Sequence, residues 1–304
     1  MRRRETSTPL AASARAGPIL ALALLVACAP PRPATDGPAR RVLSQTVLSD
    51  EILWTLGPEA RARVVGVSVM ADDPRYSRVV GLWPPELPRL AVTSEGLLAR
   101  DPDLVVIASF TTPEIKALLT AQRVRLLEFD SFTGFADYRT HLRALATAVD
   151  AAPAGERAVA ELDARLAALA ARRSASPTLT ALTAISWGDG YAATGGTTFA
   201  DIAAAAGLVN LPESTGLSGH VPVAMEQLVA WDPEIIVISC PAAAADDPAC
   251  AAAETAFAAG PGLAATRAAR QHGVIAIPAR DLGSTGEGMI AAAELLHARV
   301  LAHR

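Results

Sequence analysis

Two stretches of the 304-residue chain repeat one another, and no other feature narrows the fold as much. SEGLLARDPDLVVIAS begins at Ser94 and AMEQLVAWDPEIIVIS begins at Ala224, and they overlay at a constant offset of 131 residues that sets Ser94 on Met225. Glu95 falls on Glu226, Leu97 on Leu228, Ala99 on Ala230, Asp101-Pro102 on Asp232-Pro233, and Leu104 to Ile107 on Ile235 to Ile238. Each copy reads as a short helix, an Asp-Pro break that a helix does not cross, and an apolar run of the kind buried on both faces of a parallel sheet. One match would carry little. This many in register predict two lobes of like α/β fold.

Between the copies lies the alanine-rich run PAGERAVAELDARLAALAARR, residues 153–173, with Leu162, Leu166 and Leu169 at helical spacing. Pro153 suits a first turn, and Ser174, Ser176 and Pro177 end the run. At about 1.5 Å per residue such a helix is roughly 30 Å long, enough to brace two lobes. By itself it reads equally as the surface helix of a single domain. The repeat on its two sides is what makes it a strut.

The rest of the chain alternates short apolar runs with helical segments, the pattern of parallel-sheet α/β architecture. Strands are expected at 42–47, 64–69 and 124–129, and helices at 48–56, after Thr112-Pro113, and at 135–149. Beyond Pro177 the order returns: a strand over 179–186, an aromatic glycine loop over 187–191, a helix with Thr198 as N-cap and Gly207 as stop, and a last helix over 286–304. The expected organisation is a first lobe over 41–135, a helical linker over 136–176 and a second lobe over 177–304.

The leading residues read as an export signal, 1–27. Arg2 to Arg4 and Arg15 precede the nine apolar residues ILALALLVA, too few for a bilayer span of about 20. Leu25-Val26-Ala27-Cys28 resembles a bacterial lipobox, which makes Cys28 the acylated N-terminus, with a plain signal-peptidase site as the alternative. Residues 28–40, rich in Pro, Gly and Ala, are expected to be a flexible tether. In an oxidising compartment Cys240 and Cys250, which flank PAAAADDPA, are expected to close that loop as a disulfide, two free thiols being the alternative. A net charge of −4, more acidic still without the basic leader, leaves no footprint for nucleic acid.

The lipobox, LWTLGPEARARVVGVS, the paired E-x-L-x-A-x-D-P-(D/E) motifs, TTFADIAAAAGLVN and the central helix together resemble the substrate-binding proteins of ABC importers for iron complexes and cobalamin. The resemblance spans nearly the whole exported chain and rests on order and spacing, since no single motif is diagnostic. It implies two Rossmann-like α/β lobes with parallel-rich sheets, joined by one long rigid helix, with a ligand cleft between them. It also implies a lipid-anchored, extracytoplasmic monomer that is not an enzyme, has no cofactor beyond an iron or cobalt chelate as cargo, and works with a permease and ATPase complex. In that family one carboxylate per lobe docks on permease arginines, a role that falls here on Glu95 and Glu226. A carboxylate in the first turn of a short helix also answers the helix dipole, and both reasons can hold together.

Ligands of open parallel sheets gather beyond the carboxyl ends of the strands. That rule nominates the loop over 70–83, Phe110, Thr111, Ser131 and Phe132 in the first lobe, and Trp187, Asp189, Tyr191, His220 and Arg280-Asp281 in the second. Tyr76, Trp83, Phe110, Phe132, Trp187 and Tyr191 fall in these loops although the chain is only 4% aromatic, which suits a large, flat, partly apolar ligand. Each ring reads as well as one packed on its own lobe. Arg75 and Arg280 would meet an anionic ferric siderophore and aromatic and neutral walls would meet cobalamin, which these mixed loops fit equally; haem comes behind them, with His220, Tyr76 or Tyr191 as an axial ligand. Bare zinc or manganese lacks a ligand set, because His141, His272, His297 and His303 fall on expected helices or their ends. No HExxH, Walker loop or GxSxG is present to suggest an enzyme. An exported sensor or scaffold of the same fold, or a bare-metal binder, remains the alternative.

Overall fold

The computed structural model describes residues 37–91, 94–175 and 183–302, apart from the side chains of Ser94 and Glu95. The export signal, Cys28, the tether up to residue 36, the start of the strand expected over 179–186, and His303 lie outside the described residues.

In the first lobe the chain forms β1 (Val42–Ser44), α1 (Val47–Thr55), α2 (Pro58–Arg61), β2 (Val64–Ser68), β3 (Arg89–Leu90), α3 (Ser94–Leu98), β4 (Leu104–Ala108), α4 (Pro113–Ala121), β5 (Arg125–Phe129) and α5 (Phe135–Ala148). The five strands run in the order β3-β2-β1-β4-β5, every neighbouring pair parallel, with Val42 opposite both Val64 and Leu104. The opening strand is shorter than the expected 42–47. Thr46 Oγ1 accepts from the Ser49 backbone N–H at 3.0 Å, and Ser49 Oγ accepts from the Thr46 N–H at 3.2 Å. This capping box starts α1 at Val47 and takes that valine from the strand.

The central helix α6 spans Ala152–Ser174. The second lobe follows with β6 (Thr183–Gly188), β7 (Tyr191–Ala193), α7 (Thr198–Ala206), β8 (Val209–Asn210), α8 (Leu211–Ser214), β9 (His220–Pro222), α9 (Met225–Trp231), β10 (Ile235–Cys240) and α10 (Pro248–Ala258). A 3-10 turn, Leu263–Ala265, leads to α11 (Arg267–Arg270), β11 (Val274–Pro278), α12 (Ala279–Leu282) and α13 (Gly288–Ala302). Its sheet runs β11-β10-β6-β7-β9, with β8 pairing beside the start of β6. Two expectations are corrected. Residues 187–191 are a hairpin, not a loop: Gly188 pairs antiparallel with Tyr191 across Asp189 and Gly190, at φ 50° and 81°, the left-handed pair that a two-residue turn requires. The N-cap of α7 is Thr197, whose extended backbone (φ −120°) precedes the helix, while Gly207 ends it at φ 89° as expected.

The sequence repeat is also a repeat of structure. Asp101 and Asp232 both turn the chain with positive φ, 49° and 43°. Next to them Asp103 accepts from the N–H groups of Arg40 and Arg41 just before β1, while Glu234 accepts from the N–H of Thr183 at the start of β6. Each acid pins the first strand of its lobe to the neighbouring strand. Residues matched by the repeat even share faces: Leu104, Val106, Ile235 and Val237 lie in one core, whereas Val105 with Ile107 and Ile236 with Ile238 lie in two outer cores.

That first core is common to both lobes. It runs from Leu48 and Ile52 of α1 through Leu142 and Leu145 of α5, Val159, Leu162 and Leu169 of α6, to Phe199 of α7 and Met289 and Leu296 of α13. Arg139 and Arg143 of α5 pair with Asp163 and Glu156 of α6, and Arg165 of α6 reaches Glu287 and Glu294 beside and on α13. The end of the expected tether is held as well. Ala39 is buried and donates to Ala148 O at 2.8 Å, so residues 38–40 belong to the folded body. Among the described residues no helix is long and apolar enough to cross a membrane.

Candidate ligand cleft

Parallel strands end at one edge of a sheet, and the two lobes turn these edges towards each other. Arg78, in the loop after β2, forms an ion pair with Asp281 of α12, which directly follows β11. Phe135, at the start of α5 after β5, donates its N–H to Asp201 Oδ2 in the first turn of α7 at 2.7 Å. A cavity of about 120 Å³ is lined by Val47, Glu51, Met70 and Tyr76 from the first lobe and by Arg280, Gly283 and Ser284 from the second.

Tyr76 and Arg280, both nominated from sequence, therefore meet at one cavity. The tyrosine is 46% exposed. Beside it, Arg75 lies 5.2 Å from its ring centroid and is held by Asp73, Nη2 to Oδ2 at 2.6 Å. That pairing holds the Asp73 carboxyl below its usual range. Arg280 differs: its Nε–H is buried and has no hydrogen-bond acceptor. Buried donors nearly always find partners, which sets this one apart.

Phe110 is 80% exposed and begins an aromatic ladder into the first lobe, 6.1 Å from Phe132, which lies 5.7 Å from His141, itself stacked on Phe129 at 4.3 Å. His141 Nε2 is engaged with Ser131 O at 2.6 Å, a structural role. In the second lobe Tyr191 is 51% exposed at the end of the hairpin. Trp187 is tied to its own lobe, donating from Nε1 to Val223 O at 2.9 Å and packing on Phe257. His220 is exposed but opposite Ala193, set back along β9 from Pro222, which pairs with Tyr191 at the cleft end.

Trp83 is a correction. It is only 2% exposed and packs edge-to-face on Trp54. Because β3 is parallel to β2, the connecting chain must return along the sheet before β3 begins, which carries the second half of the loop to the edge away from the cleft. The first half, with Arg75 and Tyr76, stays at the cleft.

Sequence reasoning missed Asp50 and Glu51, which look like ordinary surface acids near the start of α1. Both are buried. Asp50 accepts from Ser68 N–H and Oγ–H, and Glu51 accepts from the Arg78 N–H at 2.9 Å and lines the cavity. Loss of water outweighs these bonds and pushes each carboxyl up to about 7. Glu51 meets the loop around Arg78 and Asp50 meets Ser68 of β2, both distant in sequence, so no local pattern signals their burial.

Glu226 is exposed in the first turn of α9, and Glu95 lies in the matching helix α3. Each helix begins shortly after a strand ends at the cleft edge, β9 and β3 respectively. Cys240 at the end of β10 and Cys250 in α10 form a disulfide. Among the described residues no group of three or more His, Cys, Asp or Glu could hold a metal ion.

The model of a family described as periplasmic binding protein matches residues 43–280. Solved structures share the fold. The periplasmic haem-binding protein BhuT, in complex with two haems, is 23% identical with a TM-score of 0.69, over 88% of this chain and 99% of its own. A periplasmic haem-binding protein from Pseudomonas aeruginosa is 24% identical, TM-score 0.68, over 86% and 92%. The vitamin B12-binding protein BtuF of Vibrio cholerae is 19% identical, TM-score 0.66, over 88% and 98%. No curated protein matches the chain.

Proposed function

The chain belongs to the periplasmic binding protein family, and from that premise we propose that it captures a bulky iron or cobalt chelate between its lobes and hands it to an ABC permease. The observation that carries this reading is the cavity lined by Tyr76 of one lobe and, from the other, by Arg280, whose buried Nε–H has no acceptor. At about 120 Å³ the cavity admits only an edge of such a ligand, whose face would then lie over the exposed rings of Tyr76, Phe110 and Tyr191. A guanidinium with one donor left unpaired favours an anionic edge. Ferric haem meets both demands, with a propionate for Arg280 and an iron for the Tyr76 phenol oxygen, and a carboxylate-bearing ferric siderophore meets the first. Proteins of like fold are named for haem and for vitamin B12, which agrees with this ligand class. Cys28 would anchor the protein by a lipid, and Glu95 and Glu226 would dock on the permease.

The test is titration of the protein with haemin, cobalamin and a ferric siderophore, followed by tryptophan fluorescence and by ligand absorbance. Haemin is expected to bind, Arg280→Gln to weaken it about tenfold or more, and Tyr76→Phe to change its visible spectrum. Tight cobalamin binding indifferent to Arg280→Gln would move the assignment to a neutral chelate. Binding of none of the three would end it.

A further inference from the structure

A second pocket lies at the other edge of the first sheet, about 16 Å from the cleft by the rise of a five-residue strand. Its volume is about 470 Å³, within the range of small-ligand sites, and it is lined by Trp54, Pro58, Arg61, Leu82, Trp83 and Leu87. Parallel topology explains the place. Trp54 ends the helix that returns from β1, Pro58 and Arg61 precede β2, and Leu82 to Leu87 precede β3.

The walls are apolar and built. Trp54 and Trp83 meet edge-to-face with centroids 5.2 Å apart, and the Arg61 guanidinium sits 4.0 Å from the centroid of Trp54. Two donors on residues that line this pocket are buried and have no acceptor: Trp83 Nε1–H, on a side chain only 2% exposed, and Arg61 Nε–H. Among the described residues no carboxylate pairs with Arg61, whose guanidinium lies over the indole of Trp54. Interior indole N–H groups normally find a partner, and a guanidinium beside an apolar wall normally finds a carboxylate. Here one pocket lacks both.

We propose that this pocket binds a small amphipathic carboxylic acid, its apolar body against the two indoles and its carboxylate accepting from Arg61 and Trp83. A neutral apolar compound would leave the two donors unmet, and a cation would be repelled by Arg61. The site shares no residue with the cleft, so its fate is independent of the metal chelate.

The experiment uses 2-naphthoate and its neutral counterpart 2-naphthamide as probes, with calorimetry for affinity and the indole N–H signals of the ¹⁵N-labelled protein for location. The acid is expected to bind at least about tenfold more tightly than the amide. Arg61→Gln should erase that difference, and the signals of Trp54 and Trp83 should move while those of Trp187 and Trp231 stay. Trp83→Phe, which keeps the ring and removes the donor, should weaken the acid more than the amide. Equal affinity for acid and amide, an Arg61→Gln protein that still prefers the acid, or movement at Trp187 would each overturn the proposal. If Trp83→Phe does not fold, the acid and amide comparison on Arg61→Gln decides alone.

Discussion

Glu51 shows how one residue's environment can reverse the meaning of its type. An acid near the start of a helix is ordinarily a stabilising surface charge. Here burial under the Arg78 loop raises its pKa from 4.5 to about 7. The folded protein therefore keeps this proton up to about pH 7, while the unfolded chain releases it near 4.5. Between those values the unfolded state gains the free energy of ionisation, so the contribution to stability falls as pH rises and levels off above 7. Glu51→Gln, which can still accept from the Arg78 N–H, should flatten this slope and be more stable than the parent at pH 8 by about 1 to 3 kcal/mol, with little difference at pH 4. Urea unfolding at pH 4, 6 and 8 measures it, and parallel slopes for the two proteins would refute it. Residues whose role depends on contacts within their own turn, such as Gly207, were legible in the sequence. Glu51, whose role depends on a loop almost thirty positions away, was not.

Among the elements, α6 was the most legible, because its alanine and leucine pattern needs no partner to declare a helix. How closely α5 and α6 approach was hidden. A Cβ on Gly155 would lie 2.5 Å from Ala146 Cβ and 3.4 Å from Leu142 Cδ2. Alanine gains about 1 kcal/mol over glycine in a helix, but overpacking of a tight interface costs about 1 to 3 kcal/mol. The steric cost should win, so Gly155→Ala is expected to lower the melting temperature despite its better propensity; an unchanged or higher value would mean that the two helices part easily. The errors at element scale have similarly local causes. Thr46 and Ser49 cap a helix where apolar residues suggested more strand, and Asp189-Gly190 makes a hairpin where glycine and aromatic residues suggested a loop.

At the scale of the whole molecule, the long helix is more than a connector. The core around it takes residues from α1 and α5 on one side and from α7 and α13 on the other, so the lobes share an interior instead of hinging on a strand. Large closure would have to tear that core, and only a small motion at the cleft is expected. Scattering profiles with and without haemin should give nearly equal radii of gyration, and a clear compaction would contradict the shared-core argument. With so little closure to sense, a permease would read the glutamates borne by the lobes. Glu95→Ala/Glu226→Ala is accordingly expected to bind ligand normally and to lose stimulation of the permease ATPase, and intact stimulation would remove the docking role. The sequence by itself determined the repeated βα grammar, the strut and the cleft-edge loops, because periodicity, caps and Asp-Pro breaks act within a few residues. Only the tertiary structure decided which half of the 70–90 loop reaches the cleft, which acids are interior, and that the two copies of the repeat close over one common core, since burial is set by whatever packs from elsewhere in the chain.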